Sequence, residues 1–189
     1  MGAPAKHKKK TAAPEQLPPA APYSLTPGYS IKPSDVTVPS DVPVGQYQRT
    51  IRPFRNWTLI CDVNLARKRR VCNITQTILD SAGTTVFSWS LAATESGQPF
   101  MILRLPLAVG GEGAVHLNLS DGGSVVSIPV KGCDGHFCIA YLQLGTRLRN
   151  SVKNGVAVTV SYNEVVGGAK NTSDFIAPLD GLSEALGAI

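Results

Sequence analysis

From residue 46 onward, apolar side chains recur at every second position in eight short runs, each broken off by glycine or polar residues. Few folds satisfy that pattern. Successive side chains of a strand point to opposite faces, so strict alternation makes one wet face and one dry face. In NWTLICDV, Trp57, Leu59, Cys61 and Val63 share a face with Thr58 and Asp62 opposite. VCNITQTIL sets Cys72, Ile74, Gln76 and Ile78 on one side, and TTVFSWSLA sets Phe87, Trp89 and Leu91 against Ser88 and Ser90. PFMILRLPL alternates Met101, Leu103 and Leu105 with Ile102 and Arg104, and AVHLNL opposes Val115, Leu117 and Leu119 to His116 and Asn118. SVVSIPV, FCIAYLQL and VAVTVSYN complete the set. Turn residues such as Ser81-Ala82-Gly83 and Asp121-Gly122-Gly123 separate them. The pattern predicts an all-β domain, an antiparallel β-sandwich of about eight strands. Pro106 and Pro129 lack an amide donor and are expected on edge strands, at bulges or at strand ends.

Two short helices interrupt the alternation. In LGTRLRNSVKNG, Leu144, Leu148 and Val152 recur every four residues, and Gly155 reads as the C-terminal cap. PLDGLSEALGAI places Leu179, Leu182 and Leu186 in one apolar stripe. The domain so defined, residues 47–189, is long enough to bury a core without a metal or a partner. The chain ahead of it has another texture. Nine of the fourteen prolines fall within the first 46 residues, a density that blocks both helix and sheet ladders. With few large apolar residues it cannot offset the entropy of ordering, so residues 1–46 are read as a disordered arm, in part polyproline II. The arm carries Lys6, His7, Lys8, Lys9 and Lys10. Such a run is either a solvated tail or an attractor for an anionic surface of lipid, glycan or nucleic acid. No run of eighteen apolar residues occurs, which excludes a membrane-spanning helix. The start MGAPAKHKKKTAAPEQ has the charge of a signal n-region with no apolar stretch behind it. The chain is therefore expected to be either cytosolic or the mature form of an exported protein.

Catalytic signatures are sparse. The three histidines are His7, His116 and His136, and neither a His-Glu-x-x-His run nor a Gly-x-Ser-x-Gly elbow occurs. Gly110, Gly111 and Gly113 are followed by no Gly-Lys-Ser/Thr, so they read as a strand connection. No catalytic residue, cofactor or metal is expected. The alternative from another class is a hydrolase or thiol-redox enzyme assembled from sequence-distant residues. It rests on His136 between Cys133 and Cys138, because a neighbouring imidazolium lowers a thiol pKa.

The four cysteines allow three pairings. Cys61 and Cys72 flank successive strands, and Cys133 and Cys138 bracket Asp134-Gly135-His136-Phe137. Local pairing, 61 with 72 and 133 with 138, closes two hairpin-like loops with the least rearrangement. The rivals are free buried thiols and a zinc site, whose usual ligand spacing only the second pair meets. Disulfides imply an oxidising compartment and so favour export. Between the first pair lies Arg67-Lys68-Arg69-Arg70, read as the tip joining the first two runs. Four adjacent cations repel, so a partner anion would be stabilising; their other reading is protection of an edge strand. No aromatic residues interleave with them, which argues against nucleic acid bound by base stacking. The candidate anion-binding residues are thus Lys6, Lys8, Lys9, Lys10, Arg67, Lys68, Arg69 and Arg70.

These pieces also stand in a familiar order. Trp57 with Cys61, then Cys72, Leu103-Arg104-Leu105-Pro106, and the Cys133-x-x-x-x-Cys138 turn before Ile139-Ala140 are followed by Pro178-Leu179-Asp180-Gly181-Leu182 through Ala185-Leu186. Over about residues 54 to 189 the chain resembles the invasion-associated locus B family of Gram-negative bacterial proteins. The resemblance implies a small all-β sandwich exported to the periplasm or outer surface, with a family role in host-cell invasion and no catalytic residues to carry over. The expected function is a non-enzymatic, exported cell-envelope protein. Its partner is expected to be an envelope or host-surface component, or an anionic glycan or lipid surface.

Overall fold

A computed structural model of the chain describes residues 38–93 and 99–189. Alternation becomes ladders in β1 (Tyr47–Phe54), β2 (Trp57–Asn64), β3 (Arg69–Leu79), β4 (Thr85–Ala93) and β5 (Pro99–Leu105). It continues in β6 (Ala114–Asn118), β7 (Val126–Pro129), β8 (Gly132–Cys133), β9 (Cys138–Gln143), β10 (Ala157–Val166) and β11 (Ala169–Pro178). A seven-stranded sheet runs β1-β2-β3-β4-β5-β9-β8, and a four-stranded sheet runs β11-β10-β6-β7. Every pairing is antiparallel. The eight expected runs are β2 to β7, β9 and β10. Three further strands carry no alternation to betray them. β1 and β11 are edge strands, exposed along most of their length on both faces, and β8 has two residues. Pro106 follows β5, and Pro129 ends the edge strand β7, where a missing amide costs no ladder bond.

The inward faces of the two sheets form one core. Trp57, Leu59, Phe87, Trp89, Met101 and Leu103 of the large sheet meet Val115, Leu117, Val158, Val160 and Tyr162 of the small one, all fully buried. A line of rings crosses it: Trp57–Trp89 at 5.4 Å, Phe87–Trp89 at 5.5 Å, Phe87–Phe175 at 5.7 Å and Tyr162–Phe175 at 6.0 Å between centroids. Each such pair adds about 0.5–1.5 kcal/mol beyond burial. Gln76 is the one amide on this dry face, 4% exposed, and it earns its place. Its Oε1 accepts from Trp89 Nε1 at 2.8 Å, and its Nε2 donates to the carbonyls of Pro178 at 2.9 Å and Asn56 at 3.1 Å. Trp57 Nε1 reaches the same Pro178 carbonyl at 3.2 Å.

Four strands cannot cover seven. The uncovered inner face of β1, β2 and β3 is closed by helix α2 (Leu182–Leu186), which also meets helix α1 (Thr146–Lys153). The buried row is Leu179, Leu182 and Ala185, whereas Leu186, expected in the stripe, is 36% exposed. The reason is that the helix begins only after Gly181, so Leu179 precedes it and Ala185 takes the inward turn. Gly181 has φ +92°, and a Cβ there would sit 2.6 Å from the Phe54 carbonyl oxygen. In α1 the expected cap is present. Gly155 has φ +61°, its N–H reaches Val152 O at 3.2 Å and Val156 N–H reaches Ser151 O at 3.2 Å, a Schellman pair.

Residues 38–46, assigned to the arm by their prolines, form two turns within the compact unit that begins at Val38. Val42 N–H reaches Pro39 O at 3.0 Å, Gln46 N–H reaches Pro43 O at 3.0 Å, and Gln46 O accepts from Leu65 N–H at 2.8 Å. Proline blocks ladders but not turns, and Gly45 at φ +80° supplies the third position of a type II turn. Residues 1–37, with Lys6, Lys8, Lys9 and Lys10, lie outside the described residues.

Replacing Gln76 by Leu strands an indole N–H in the core and should cost about 1–3 kcal/mol. Gly181→Ala should also destabilise, through the positive φ and the clash at Phe54. Urea unfolding measures both, and an unshifted midpoint for Gln76→Leu would show that the amide carries no weight.

Candidate functional site

The hairpin of β2 and β3 carries the basic tetrad, and its register decides what those charges face. Asn64 pairs with Arg69 on the last rung, so the tip is Leu65-Ala66-Arg67-Lys68. Asn64 Oδ1 accepts the Arg67 N–H at 3.0 Å, and Lys68 takes a left-handed φ of +50° to close the turn. The sequence reading places all four cations in the connection; the structure puts Arg69 and Arg70 on β3, because the ladder extends two residues further than the apolar pattern. Neighbours on a strand point to opposite faces, which separates their charges.

Two of the four are already engaged. Arg67 Nη1 pairs with Asp41 Oδ2 at 2.9 Å. Arg70 turns inward, donating from Nη1 to the Ile189 main-chain oxygen at 3.1 Å and from Nη2 to Cys61 Sγ at 3.3 Å. Lys68 and Arg69 have no ion-pair partner among the described residues. Both side chains are exposed to solvent.

Strand β1 adds cations that sequence reasoning missed. Arg49 donates to Asp62 from Nε at 2.6 Å and from Nη2 at 2.9 Å, and Tyr47 donates to the same carboxylate at 2.6 Å. The Arg49 hydrogen bond holds the Asp62 carboxyl below the usual range, and Asp62 in turn pushes up both the Arg49 guanidinium and the Tyr47 phenol. Arg52 reaches the Ala188 carbonyl at 3.4 Å over the ring of Phe54, and Arg55 pairs with Asp180 at 2.8 Å. Residues 47–79 thus hold seven cations and a single carboxylate, Asp62. Their count along the chain was the available signal, but spaced every third residue they make no compact run. One edge of the large sheet therefore carries a net positive field. Asp41, Tyr47, Asp62, Arg67, Arg69 and Val71 line a cleft there of about 190 Å³. That is below the ~300 Å³ of ordinary small-molecule pockets, so the edge offers a charged surface and not a chamber.

Cystines fix both ends of this sheet. Cys61 is bonded to Cys72 directly across the ladder with Cα atoms 4.1 Å apart, three rungs from the tip. Cys133 is bonded to Cys138 with Cα atoms 3.9 Å apart, again on one rung. Both are the close, non-hydrogen-bonded kind of rung, where opposite side chains approach most nearly. No cysteine is free, and neither pair stands at a helix start, the setting that activates a redox thiol. Among the described residues no group of three His, Cys, Asp or Glu gathers to hold a metal, and no helix is long and apolar enough to cross a membrane.

The family model described as Invasion associated locus B (IalB) protein matches residues 57–189. A crystal structure of invasion associated protein B from Bartonella henselae superposes with a TM-score of 0.61 at 16% identity, covering 74% of this chain and 93% of that one. At that identity the likeness is one of fold. Among curated proteins, none matches the chain by sequence at a significant level.

The folded-state pKa of Asp62 lies below its unfolded value of about 3.9, so its stabilisation is complete above that pH and is lost as pH falls through the folded value. Asp62→Asn should lower Tm slightly near neutral pH, since a partly exposed pair is worth at most about 1 kcal/mol. The gap to wild type should close as the melts are repeated toward about pH 2.

Proposed function

The chain belongs to the invasion-associated locus B family, and on that premise we propose that it is a non-enzymatic, exported cell-envelope protein acting by binding an anionic surface. The observation that carries the reading is the positive edge formed by β1, β2 and β3, with Lys68 and Arg69 at its end and without an ion-pair partner among the described residues. A rigid ladder stapled by Cys61–Cys72 holds these charges in fixed register, so an anionic glycan or a lipid headgroup layer meets a preset array. Lys6, Lys8, Lys9 and Lys10 add a second, sequence-distant patch that strengthens the same attraction. Two disulfides fit an oxidising compartment, which supports the periplasm, the outer membrane surface or the medium as the site of action, after removal of a signal sequence. The family's name supports an envelope or host-surface component as the biological partner.

Retention on heparin and on lipopolysaccharide tests the reading. Lys68→Ser with Arg69→Ser should weaken both at low salt and leave the melting temperature unchanged, because exposed charges contribute little to folding. Removing residues 1–37 should weaken retention further. At 1 M salt, where the screening length is ~3 Å, all forms should elute together. Equal retention of wild type and the double variant at low salt would refute the basic edge as the contact. By contrast Arg70→Ser should lower stability, since it releases the Ile189 oxygen.

A further inference from the structure

At the far side of the large sheet a different cation has no carboxylate partner among the described residues. Arg104 lies on β5, on the face turned away from the core, and is half-buried. Its Nη1 donates to Ser90 Oγ at 3.0 Å, and its guanidinium carbon stands 5.7 Å from the centroid of the Phe137 ring. Among the described residues no carboxylate pairs with it. Cross-strand register sets Thr77 opposite Ser88 and Ser88 opposite Arg104, a row that puts one hydroxyl next to Arg104 and a second one strand further along the outer face.

The turn between Cys133 and Cys138 closes the other side. Asp134 Oδ1 accepts the main-chain N–H of His136 at 2.7 Å and of Phe137 at 2.9 Å, which shapes the turn and spends the carboxylate inside it. The cystine fixes the base of the turn, so His136 and Phe137 are presented from a rigid loop. Pairing of Arg104 with Ile139 across β5 and β9 is what brings this loop over the arginine. Arg104, His136, Phe137, Thr77, Thr85 and Ser88 line a cleft of about 400 Å³, and no carboxylate of the described residues lines it. That exceeds the ~300 Å³ floor of small-molecule pockets.

A guanidinium has five donors in a planar fork, and among the described residues a single neutral hydroxyl takes one of them. The fork matches the two oxygens of a carboxylate or phosphate, and partial burial strengthens such a charge-assisted pair relative to open water. Among the described residues no anion competes for the remaining donors, and an imidazole and three hydroxyls line the same cleft. We propose that this cleft binds an oxyanion group, carboxylate or phosphate, carried on a small hydroxylated ligand such as an acidic sugar. Arg104 anchors the anion, and His136, Thr77, Thr85 and Ser88 contact the neighbouring hydroxyls. The site shares no residue with the basic edge, and it joins two sequence features, Leu103-Arg104-Leu105-Pro106 and the Cys133–Cys138 turn, that the edge leaves unused.

Amide NMR titration of the full chain with glucuronate, inorganic phosphate and neutral methyl glucoside tests it. Glucuronate or phosphate should shift the Ser88, Arg104 and His136 amides saturably, and Arg104→Gln should weaken that binding about tenfold or more. Binding of glucuronate alone identifies an acidic sugar, and binding of phosphate as well identifies a general oxyanion site. His136→Ala, a change at an exposed turn, should weaken binding about threefold and serves if the Arg104 variant does not fold. The Lys68→Ser, Arg69→Ser protein should bind these small probes as wild type does, which separates this site from the basic edge. No binding of either anion up to ~10 mM, methyl glucoside binding as well as glucuronate, or unaltered affinity in Arg104→Gln and His136→Ala would overturn the proposal.

Discussion

Two indole N–H groups buried in one core must find acceptors, and the way this chain supplies them organises everything around them. Trp89 is satisfied by Gln76, Gln76 by the carbonyls of Asn56 and Pro178, and Trp57 by that same Pro178 carbonyl. The network links β2, β3 and β4 to the last residue of β11, which lies in the opposite sheet. Breaking one member leaves a buried donor without a partner, a loss larger than the bond itself is worth when made. Burial thus couples the two sheets through direction as well as through area, since rings alone would slide.

From that lock the closing segment follows. Pro178 is held, Leu179 is buried beside it, and Gly181 turns the chain past the Phe54 carbonyl at a φ only glycine adopts readily. α2 is then delivered onto the inner face of β1, β2 and β3, the area that four strands leave open. Arg52 and Arg70 reach the main-chain oxygens of Ala188 and Ile189 behind it. Two cations of the basic edge therefore serve the fold, and the others are set on a surface whose position they do not determine.

The large sheet carries chemistry at both of its ends and its core in the middle. At one end the Cys61–Cys72 rung supports an array of exposed cations; at the other the Cys133–Cys138 rung supports a loop leaning over Arg104. Each cystine lies within a hairpin and closes a short loop, so its entropic effect on the unfolded chain is modest. What it adds is register, because a slipped rung would turn every neighbouring side chain to the other face.

Much of the fold was legible in the sequence for a simple reason. A strand half in water must alternate, and eight of the eleven strands do. The Gly155 cap was legible because a helix end needs a left-handed residue, and neighbouring cysteines face each other because a hairpin brings near residues onto one rung. β1 and β11 left no such mark, since a strand wet on both faces has nothing to alternate. The turns at Pro39 and Pro43 were hidden because proline signals the ladders it forbids and not the turns it permits. Only the tertiary structure decided which cations are free. Arg67 and Arg70 find Asp41 and Ile189, and Arg104 finds the turn before Ile139, across distances along the chain that local pattern does not span. Local chemistry writes each strand; the pairing of distant strands, driven by burial of the shared core, chooses the neighbours that make a charge structural or available.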